Sequence, residues 1–261
     1  MEIIVCVKQV PEVAEVDIDP ETGTLVRDGI PATVNPFDLY AIEEALRLRE
    51  IHGGSITAVS MGPPQAEAAL RDTIAFGVDR GILLSDRAFA GSDTLATSYA
   101  LASGIRNIGK YDLIICGIKT TDGDTGQVGP GLAEELGIPH VSYVRRIASI
   151  DDGVIALERT LDEKIEDLRC PLPCLVTVTK EINEPRLPSF KGKMASRKAE
   201  IPVWTPREIG CKGERLGSEG SPTWVVKVFH PAGDRAGEML EGDPPGQATG
   251  LVERLRERNL I

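Results

Sequence analysis

A strand, a glycine-rich turn and a helix follow one another between Tyr111 and Gly137, and this unit constrains the fold most strongly. Residues 113–116 are a short apolar run, which is typical of a strand buried on both faces of a sheet. Apolar side chains then recur at helical spacing from Val128 to Leu136. A buried strand that leads directly into a helix predicts an α/β protein with a parallel sheet.

The turn between this strand and helix has the chemistry of a phosphate-binding loop. Its glycines let the backbone approach a ligand closely, and Asp124 and Thr125 can cap the helix and direct free N–H groups toward an anion. The same residues also suit an ordinary βα loop with good capping residues, so the loop chemistry alone leaves both interpretations open. The spacing matches neither of the general nucleotide-binding motifs. The three glycines are Gly123, Gly126 and Gly129.

Composition narrows the possible classes of protein. A hydrophobic content of 41% over 261 residues supports a sizeable core. A net charge of −11 disfavours a nucleic-acid partner or an anionic membrane surface, because the overall field repels phosphate. No apolar run reaches membrane-spanning length, and the first strand begins at Glu2 without a charged leader. The sequence therefore predicts a cytoplasmic protein without membrane insertion.

The cysteines and histidines form no recognisable catalytic or metal-binding set. Five scattered cysteines are unlike a disulfide framework and predict a reducing compartment. Cys170 and Cys174 superficially resemble half of a metal motif, but no second pair or nearby histidine completes four ligands. His52, His140 and His230 lack the neighbours of a catalytic triad, which favours structural or surface roles. We expect no metal and no catalytic side chain.

Four strands alternate with helices in the first half of the chain. This alternation predicts a doubly wound, mostly parallel sheet with right-handed connections and strand order 3-2-1-4-5. A small exposed hairpin is predicted over residues 16–27. The predicted strands cover residues 2–7, 56–61, 82–84 and 113–116. Polar caps are predicted at Asn35 for the first helix and at Asp93 for the third, and the second helix begins near Gln65.

In this strand order, a crevice opens between the carboxyl ends of the first and fourth strands. The loop of residues 8–11 and the loop of residues 117–126 then flank one slot, with the helix start at residues 35–38 and Met61 close by. Separate parts of the sequence thus converge on one ligand site. The convergence makes nucleotide binding a better prediction than helix capping alone.

The pattern changes after Pro139. Residues 140–150 and 154–160 are joined by a strong hairpin turn, and residues 164–168 could continue a meander before an apolar strand at 175–179. An antiparallel extension of the sheet is predicted.

The remainder of the chain, residues 183–261, is predicted to form a C-terminal arm beyond a domain of residues 1–182. Prolines favour an extended path near residues 185–206. The same stretch carries a cluster of basic side chains, although the protein as a whole is acidic. Apolar side chains beside this cluster favour a partner surface over a solvated loop. A terminal amphipathic helix includes residues 251–255. The basic residues are Lys191, Lys193, Arg197 and Lys198, and the apolar ones are Leu187, Phe190, Met194 and Trp204.

Several motifs, in order along the chain, resemble those of the β subunit of electron-transfer flavoprotein. They are residues 7–11, 35–38, 41–48, 122–130, 156–177 and 183–186. The resemblance spans essentially the whole chain. It implies an adenine nucleotide alpha hydrolase-like fold and an obligate α subunit that carries an electron-transferring FAD. The C-terminal arm would then contact the α subunit and a docking partner.

The resemblance also implies the ligand of the crevice. Ordinary members hold AMP there, whereas electron-bifurcating members hold a second FAD that accepts hydride from NADH. The chain would be an electron carrier subunit, with NADH-oxidising activity only as the α/β complex. The positions that match the family's nucleotide contacts are Cys6, Asn35, Phe37, Asp38, Met61, Gly117, Thr121, Asp122, Gly123, Asp124, Thr125, Gly126, Gln127 and Val128.

A docking segment follows from the same resemblance. In the family, a recognition loop docks an acyl-CoA dehydrogenase or a similar flavoenzyme, and it corresponds here to a segment with Phe190 where other members carry a leucine. The matching residues are Arg186, Leu187, Pro188, Ser189, Phe190, Lys191 and Met194.

Two features favour FAD over AMP in the crevice. Residues 85–94 are similar to the loop of bifurcating members, and the small Gly126 leaves room for a pyrophosphate. Residues 118–121, however, depart from the sequence that many relatives carry after the glycine. An AMP-holding subunit is the alternative, and a non-redox adenine nucleotide-binding protein is the second.

Overall fold

Alternating apolar strands and amphipathic helices build the protein, whose computed structural model describes residues 1–12, 31–226 and 237–261. The hairpin predicted over residues 16–27 lies outside these ranges. The elements are β1 (Glu2–Cys6), β2 (Gln9–Pro11), β3 (Ala32–Val34), α1 (Pro36–His52), β4 (Ser55–Met61), α2 (Glu67–Phe76), β5 (Arg80–Leu84), α3 (Thr94–Ile108), β6 (Leu113–Gly117), α4 (Val128–Leu136), β7 (His140–Asp151), β8 (Val154–Thr160), β9 (Ile165–Pro171), β10 (Cys174–Val178), α5 (Phe190–Lys198), β11 (Val203–Trp204) and α6 (Pro244–Glu257).

A nine-stranded sheet in the order β11-β5-β4-β1-β6-β10-β7-β8-β9 organises residues 1–226. Strands β5, β4, β1, β6 and β10 are mutually parallel, which confirms the predicted order 3-2-1-4-5. The chain winds outward from β1 through β4 to β5, then crosses back through α3 to β6 on the other side of β1. The order therefore reverses between β1 and β6.

Helices cover both faces of the parallel strands, as a doubly wound sheet requires. Successive side chains of a strand point to opposite faces. Ile3 and Val5 accordingly pack in the core that includes residues of α1 and α2. Ile4 and Cys6 pack in the core that includes residues of α3 and α4. The strands read as continuous apolar runs because both of their faces are buried.

The predicted antiparallel extension is confirmed. Strands β7 and β8 pair antiparallel, and β8 pairs antiparallel with β9. Asp152 and Gly153 both have positive φ, at 50° and 75°, as a two-residue hairpin turn demands. Strand β7 itself runs parallel to its other neighbour, β10, and so joins the hairpin to the main sheet.

The expectation of an extended path after residue 183 is wrong for residues 190–198, which form α5. The side chain of Ser189 caps this helix by accepting a hydrogen bond from the backbone N–H of Gly192. The prolines that favoured an extended chain precede and follow the helix rather than interrupt it. Helix α5 packs on α2 and belongs to a compact unit of residues 1–226, and residues 227–261 form a second unit. The sequence placed a boundary after residue 182.

The second unit contributes α6, which confirms the predicted terminal helix. Asp243 caps it by accepting a hydrogen bond from the backbone N–H of Gly246. Within the described ranges of the chain, every helix is too short or too polar to cross a bilayer.

Candidate functional site

A cavity of about 450 Å³ lies at the carboxyl ends of β1 and β6, where the strand order reverses. This volume falls in the range of about 300–1,000 Å³ that is typical of small-molecule sites. Nine of the predicted contact residues line the cavity. They are Cys6, Asp38, Met61, Gly117, Gly123, Thr125, Gly126, Gln127 and Val128.

The other five predicted residues stand behind the wall of this cavity or beside it. Asn35 and Thr121 are hydrogen-bonded to each other, and Asp122 pairs with Lys8. Asp124 pairs with Lys119, whose ammonium group also lies 5.6 Å from the centre of the Phe37 ring. These residues shape the loops rather than line the cavity.

One wall of the cavity was missed by the sequence-based site prediction. It is built at the start of α3, where the side chain of Asp93 accepts hydrogen bonds from the N–H groups of Leu95 and Ala96. The cap was predicted, and the resemblance of residues 85–94 to the loop of bifurcating members linked this segment to the crevice, but none of its residues was among the predicted nucleotide contacts. Thr223 reaches the same wall because its N–H and hydroxyl both donate to Asp93. The lining residues of this wall are Ser92, Asp93, Thr94, Thr97, Leu101 and Thr223.

Asn35 fixes the loop after β6 instead of capping α1. Its side chain makes no capping hydrogen bond, so the predicted cap is wrong. The Nδ2 group donates to the carbonyl of Lys119 at 2.9 Å, and Oδ1 accepts from the N–H of Thr121 at 3.2 Å. Because Asn35 is fully buried, these bonds satisfy polar groups that water does not reach. The start of α1 and the candidate phosphate loop are thereby joined.

Asp38 joins the two loops that flank the cavity. Its Oδ2 accepts a hydrogen bond from the backbone N–H of Lys8 at 2.8 Å. Burial raises the pKa of Asp38 from 3.8 to about 7, and hydrogen bonds from Asn35, Lys8 and Gly117 oppose the rise. The carboxyl group therefore titrates close to neutral pH.

The glycine-rich loop enters α4 by a different route from the one predicted. Asp124 has φ of 51° and Gly126 has φ of 64°, so the chain reverses through left-handed backbone conformations. Asp124 consequently points to Lys119, with which it forms an ion pair of 2.7 Å. Thr125 Oγ1 accepts only from the N–H of Gln127, at 3.5 Å. Neither residue caps α4, and that prediction is wrong.

The first turn of α4 has backbone N–H groups that, among the described residues, are left without an acceptor. Gln127 occupies the N-cap position, but its side chain accepts a hydrogen bond from the hydroxyl of Thr94 and makes no capping bond. The N–H of Gly131 donates to the carbonyl of Gln127. Pro130 has no N–H. Among the described residues, the N–H groups of Val128 and Gly129 have no acceptor. Both residues line the cavity, so the arrangement suits an anion such as a phosphate.

An ion pair between Lys8 and Asp122 lies beside the cavity. Lys8 Nζ lies 2.8 and 2.7 Å from the two carboxylate oxygens of Asp122. Burial raises the pKa of Asp122, but the hydrogen bond and charge of Lys8 outweigh it and hold that pKa below its ordinary value. This ion pair links the loop after β1 to the loop after β6 across the mouth of the cavity.

Two thiols line the cavity side by side. Cys6 and Cys116 are in register on β1 and β6, and both line the cavity. A hydrogen bond with Cys6 raises the pKa of the Cys116 thiol well above its usual range, and burial raises it further. The thiols therefore contribute an apolar surface. Within the described ranges, no group of three or more His, Cys, Asp or Glu side chains could hold a metal ion.

The predicted docking residues lie on and before α5, away from the cavity. Leu187 and Phe190 are 88% and 82% exposed, which is unusual for large apolar side chains. Arg186 instead turns inward, with Nε 2.7 Å from Glu43 and Nη1 2.6 Å from Glu50. Of the remaining four, Ser189, Lys191 and Met194 are exposed and Pro188 is half-buried.

Comparison with known proteins agrees with this architecture. The electron transfer flavoprotein domain family matches residues 22–209. The electron transfer flavoprotein subunit beta of Thermoanaerobacterium thermosaccharolyticum is 47% identical, over all of both chains. Subunit CarD of the caffeyl-CoA reductase-Etf complex of Acetobacterium woodii is 43% identical, also over all of both chains. Protein FixA of Azorhizobium caulinodans is 42% identical over 99% of this chain and 95% of its own. The chain therefore belongs to the electron transfer flavoprotein family, as a beta subunit.

Proposed function

We propose that this chain pairs with an α subunit and holds FAD in the cavity between β1 and β6. The observation that carries the proposal is the uncapped start of α4, where the N–H groups of Val128 and Gly129 face a cavity of nucleotide size. Such N–H groups, together with the positive end of the helix dipole, favour the phosphates of an adenine nucleotide.

The side chains around the cavity would fix the position of the ligand. Asn35 holds the candidate phosphate loop through Nδ2 and Oδ1 of its side-chain amide, and Asp38 holds the loop after β1. Cys6, Cys116 and Met61 offer an uncharged floor that excludes water. When bound, FAD supplies hydride and single-electron chemistry that no side chain of this site provides. The chain's own residues would bind the flavin and orient it.

The two walls of the cavity support a dinucleotide rather than AMP as the ligand in this proposal. The α4 wall suits phosphates, and the α3 wall adds hydroxyl groups of Ser92, Thr94 and Thr97 for a second half of the ligand. We therefore favour a subunit that accepts hydride from NADH for flavin-based electron bifurcation. An ordinary subunit that holds AMP would use the α4 wall alone. A non-redox adenine nucleotide-binding protein would have no use for the exposed apolar side chains before and on α5.

The partner is expected to be an acyl-CoA dehydrogenase or a similar flavoenzyme. Leu187 and Phe190 expose apolar surface that a partner could bury. The name of the Acetobacterium woodii relative includes a caffeyl-CoA reductase, which is consistent with a partner that acts on a CoA ester. Transfer in the cytoplasm stays a prediction.

Nucleotide content separates the three possibilities. The chain is co-expressed with its α subunit, the heterodimer is purified, and the nucleotides are released by denaturation, separated and counted. The proposal predicts two FAD molecules per heterodimer, and NADH should bleach the visible flavin absorption. One FAD with one AMP would identify the ordinary subunit. A heterodimer with no nucleotide beyond the α-subunit FAD would contradict both flavoprotein alternatives.

A further inference from the structure

We propose that Arg71 of α2 is a positioning residue for partner docking, an inference that rests on the proposed docking role of residues 187–194. Arg71 Nη1 donates hydrogen bonds to the carbonyls of Ser196 and Ala199, at 2.7 and 3.2 Å. These carbonyls lie at the end of α5, where intrahelical donors run out. A guanidinium group satisfies them and also complements the negative end of the helix dipole.

The middle of α5 is held on the same helix. Gly192 approaches α2 so closely that an added Cβ atom would overlap the carbonyl oxygen of Ala75. This contact sets the distance between the two helices at the middle of α5, where the two helices pack against each other. The hydrogen bonds of Arg71 add a directional attachment at the far end of α5.

The chain before α5 has its own anchor. Arg186 is paired with Glu43 and Glu50 of α1, and Glu43 is buried. The docking segment is thus fixed on α1 at one end and on α2 at the other, while Leu187 and Phe190 project into solvent. A surface that is ordered before binding loses less conformational entropy when a partner covers it.

The charges around this segment indicate what it would bind. Exposed basic side chains surround the apolar ones on a chain whose net charge is −11. A complementary partner has an apolar pocket rimmed by carboxylates. The exposed basic side chains are Lys191, Lys193, Arg197 and Lys198.

The test uses the heterodimer and a purified acyl-CoA dehydrogenase with which the wild type turns over. Arg71→Gln should raise the KM for the dehydrogenase about 5- to 30-fold, because a misplaced Phe190 loses part of its contact. The kcat and the nucleotide content should stay unchanged. Glu67→Gln is the matched control, since it breaks the 2.7 Å ion pair of Arg71 within α2 but not the carbonyl bonds. Its KM should stay within about twofold of wild type.

Phe190→Ala is measured in parallel to separate the two hypotheses. An unchanged KM for Phe190→Ala would remove the docking role itself and this inference with it. A raised KM for Phe190→Ala with a wild-type KM for Arg71→Gln would overturn the positioning role alone. Arg71→Lys keeps the charge and one donor, and an intermediate KM is expected. It provides the same test if Arg71→Gln folds poorly, and a wild-type KM would then count against the inference.

Discussion

The buried side chain of Asn35 accepts a hydrogen bond from the backbone N–H of Thr121, 86 residues further along the chain, at 3.2 Å. The same amide donates to the carbonyl of Lys119. One side chain at the start of α1 thus sets the path of the loop that leads to α4. We expect phosphate binding at α4 to depend on that path.

Replacing Asn35 tests this relationship. Asn35→Ala removes both hydrogen bonds and leaves two backbone groups without partners, at a cost of about 1–3 kcal/mol. We expect the dissociation constant for FAD to rise by about 5- to 100-fold, as measured by flavin fluorescence of the reconstituted heterodimer. Asn35→Asp keeps the acceptor for Thr121 but places a buried carboxylate against the carbonyl of Lys119 and near Asp38, so its rise should be at least as large. A folded Asn35→Ala heterodimer with wild-type affinity would contradict the role of Asn35.

Asp38 predicts a pH dependence of folding stability. Its pKa is raised by burial from 3.8 to about 7, so between these values the folded protein holds a proton that the unfolded chain has released. This contribution to the free energy of unfolding is complete below a pH of about 4 and is lost as pH rises to about 7. Urea titrations across this interval should show a shallower decline for Asp38→Asn than for wild type. Parallel curves for the two proteins would mean that Asp38 is not the responsible group.

More of the fold than of the site could be predicted from the sequence. Buried parallel strands are continuous apolar runs in the sequence, and the cap at Asp93 marks the start of α3. The alternation of such strands and helices was enough to predict the strand order. No sequence pattern indicated that Thr223 approaches the α3 wall, because the contact between residues 93 and 223 arises only in the folded chain. The α5 helix was missed because four prolines suggested an extended chain, whereas Ser189 and the contact with α2 decide the structure locally.

The loop conformation at Asp124 leads to a different mutational prediction from the one that a capping role would give. Its φ of 51° is tolerated by Asn and Gly but strains a β-branched residue, by about 1–2 kcal/mol. Asp124→Val should therefore weaken FAD binding about 5- to 30-fold. Asp124→Asn loses only an exposed ion pair with Lys119 and should bind within about twofold of wild type. Equal affinities of the two variants in isothermal titration would argue against backbone strain as the cause.

Close packing at the start of α4 predicts a stability defect with a specific rescue. A Cβ atom added at Gly129 would overlap the Cγ2 methyl group of Thr177 on β10. Gly129→Ala should lower the free energy of unfolding by about 1–3 kcal/mol, although alanine favours helix. Thr177→Ser removes that methyl group and keeps the hydroxyl oxygen that accepts from the N–H of Tyr143.

The double variant Gly129→Ala/Thr177→Ser should recover most of the loss in chemical denaturation. If the double variant is less stable than Gly129→Ala alone, the overlap with Thr177 is not the origin of the defect.

A crystal structure of the heterodimer with its bound nucleotides tests most directly whether the start of α4 binds the phosphates. The prediction is a FAD molecule between β1 and β6, with a phosphate oxygen about 2.7–3.2 Å from the backbone nitrogen of Val128 or Gly129. A cavity without nucleotide, or a nucleotide whose phosphates lie away from these two N–H groups, would contradict the proposed site.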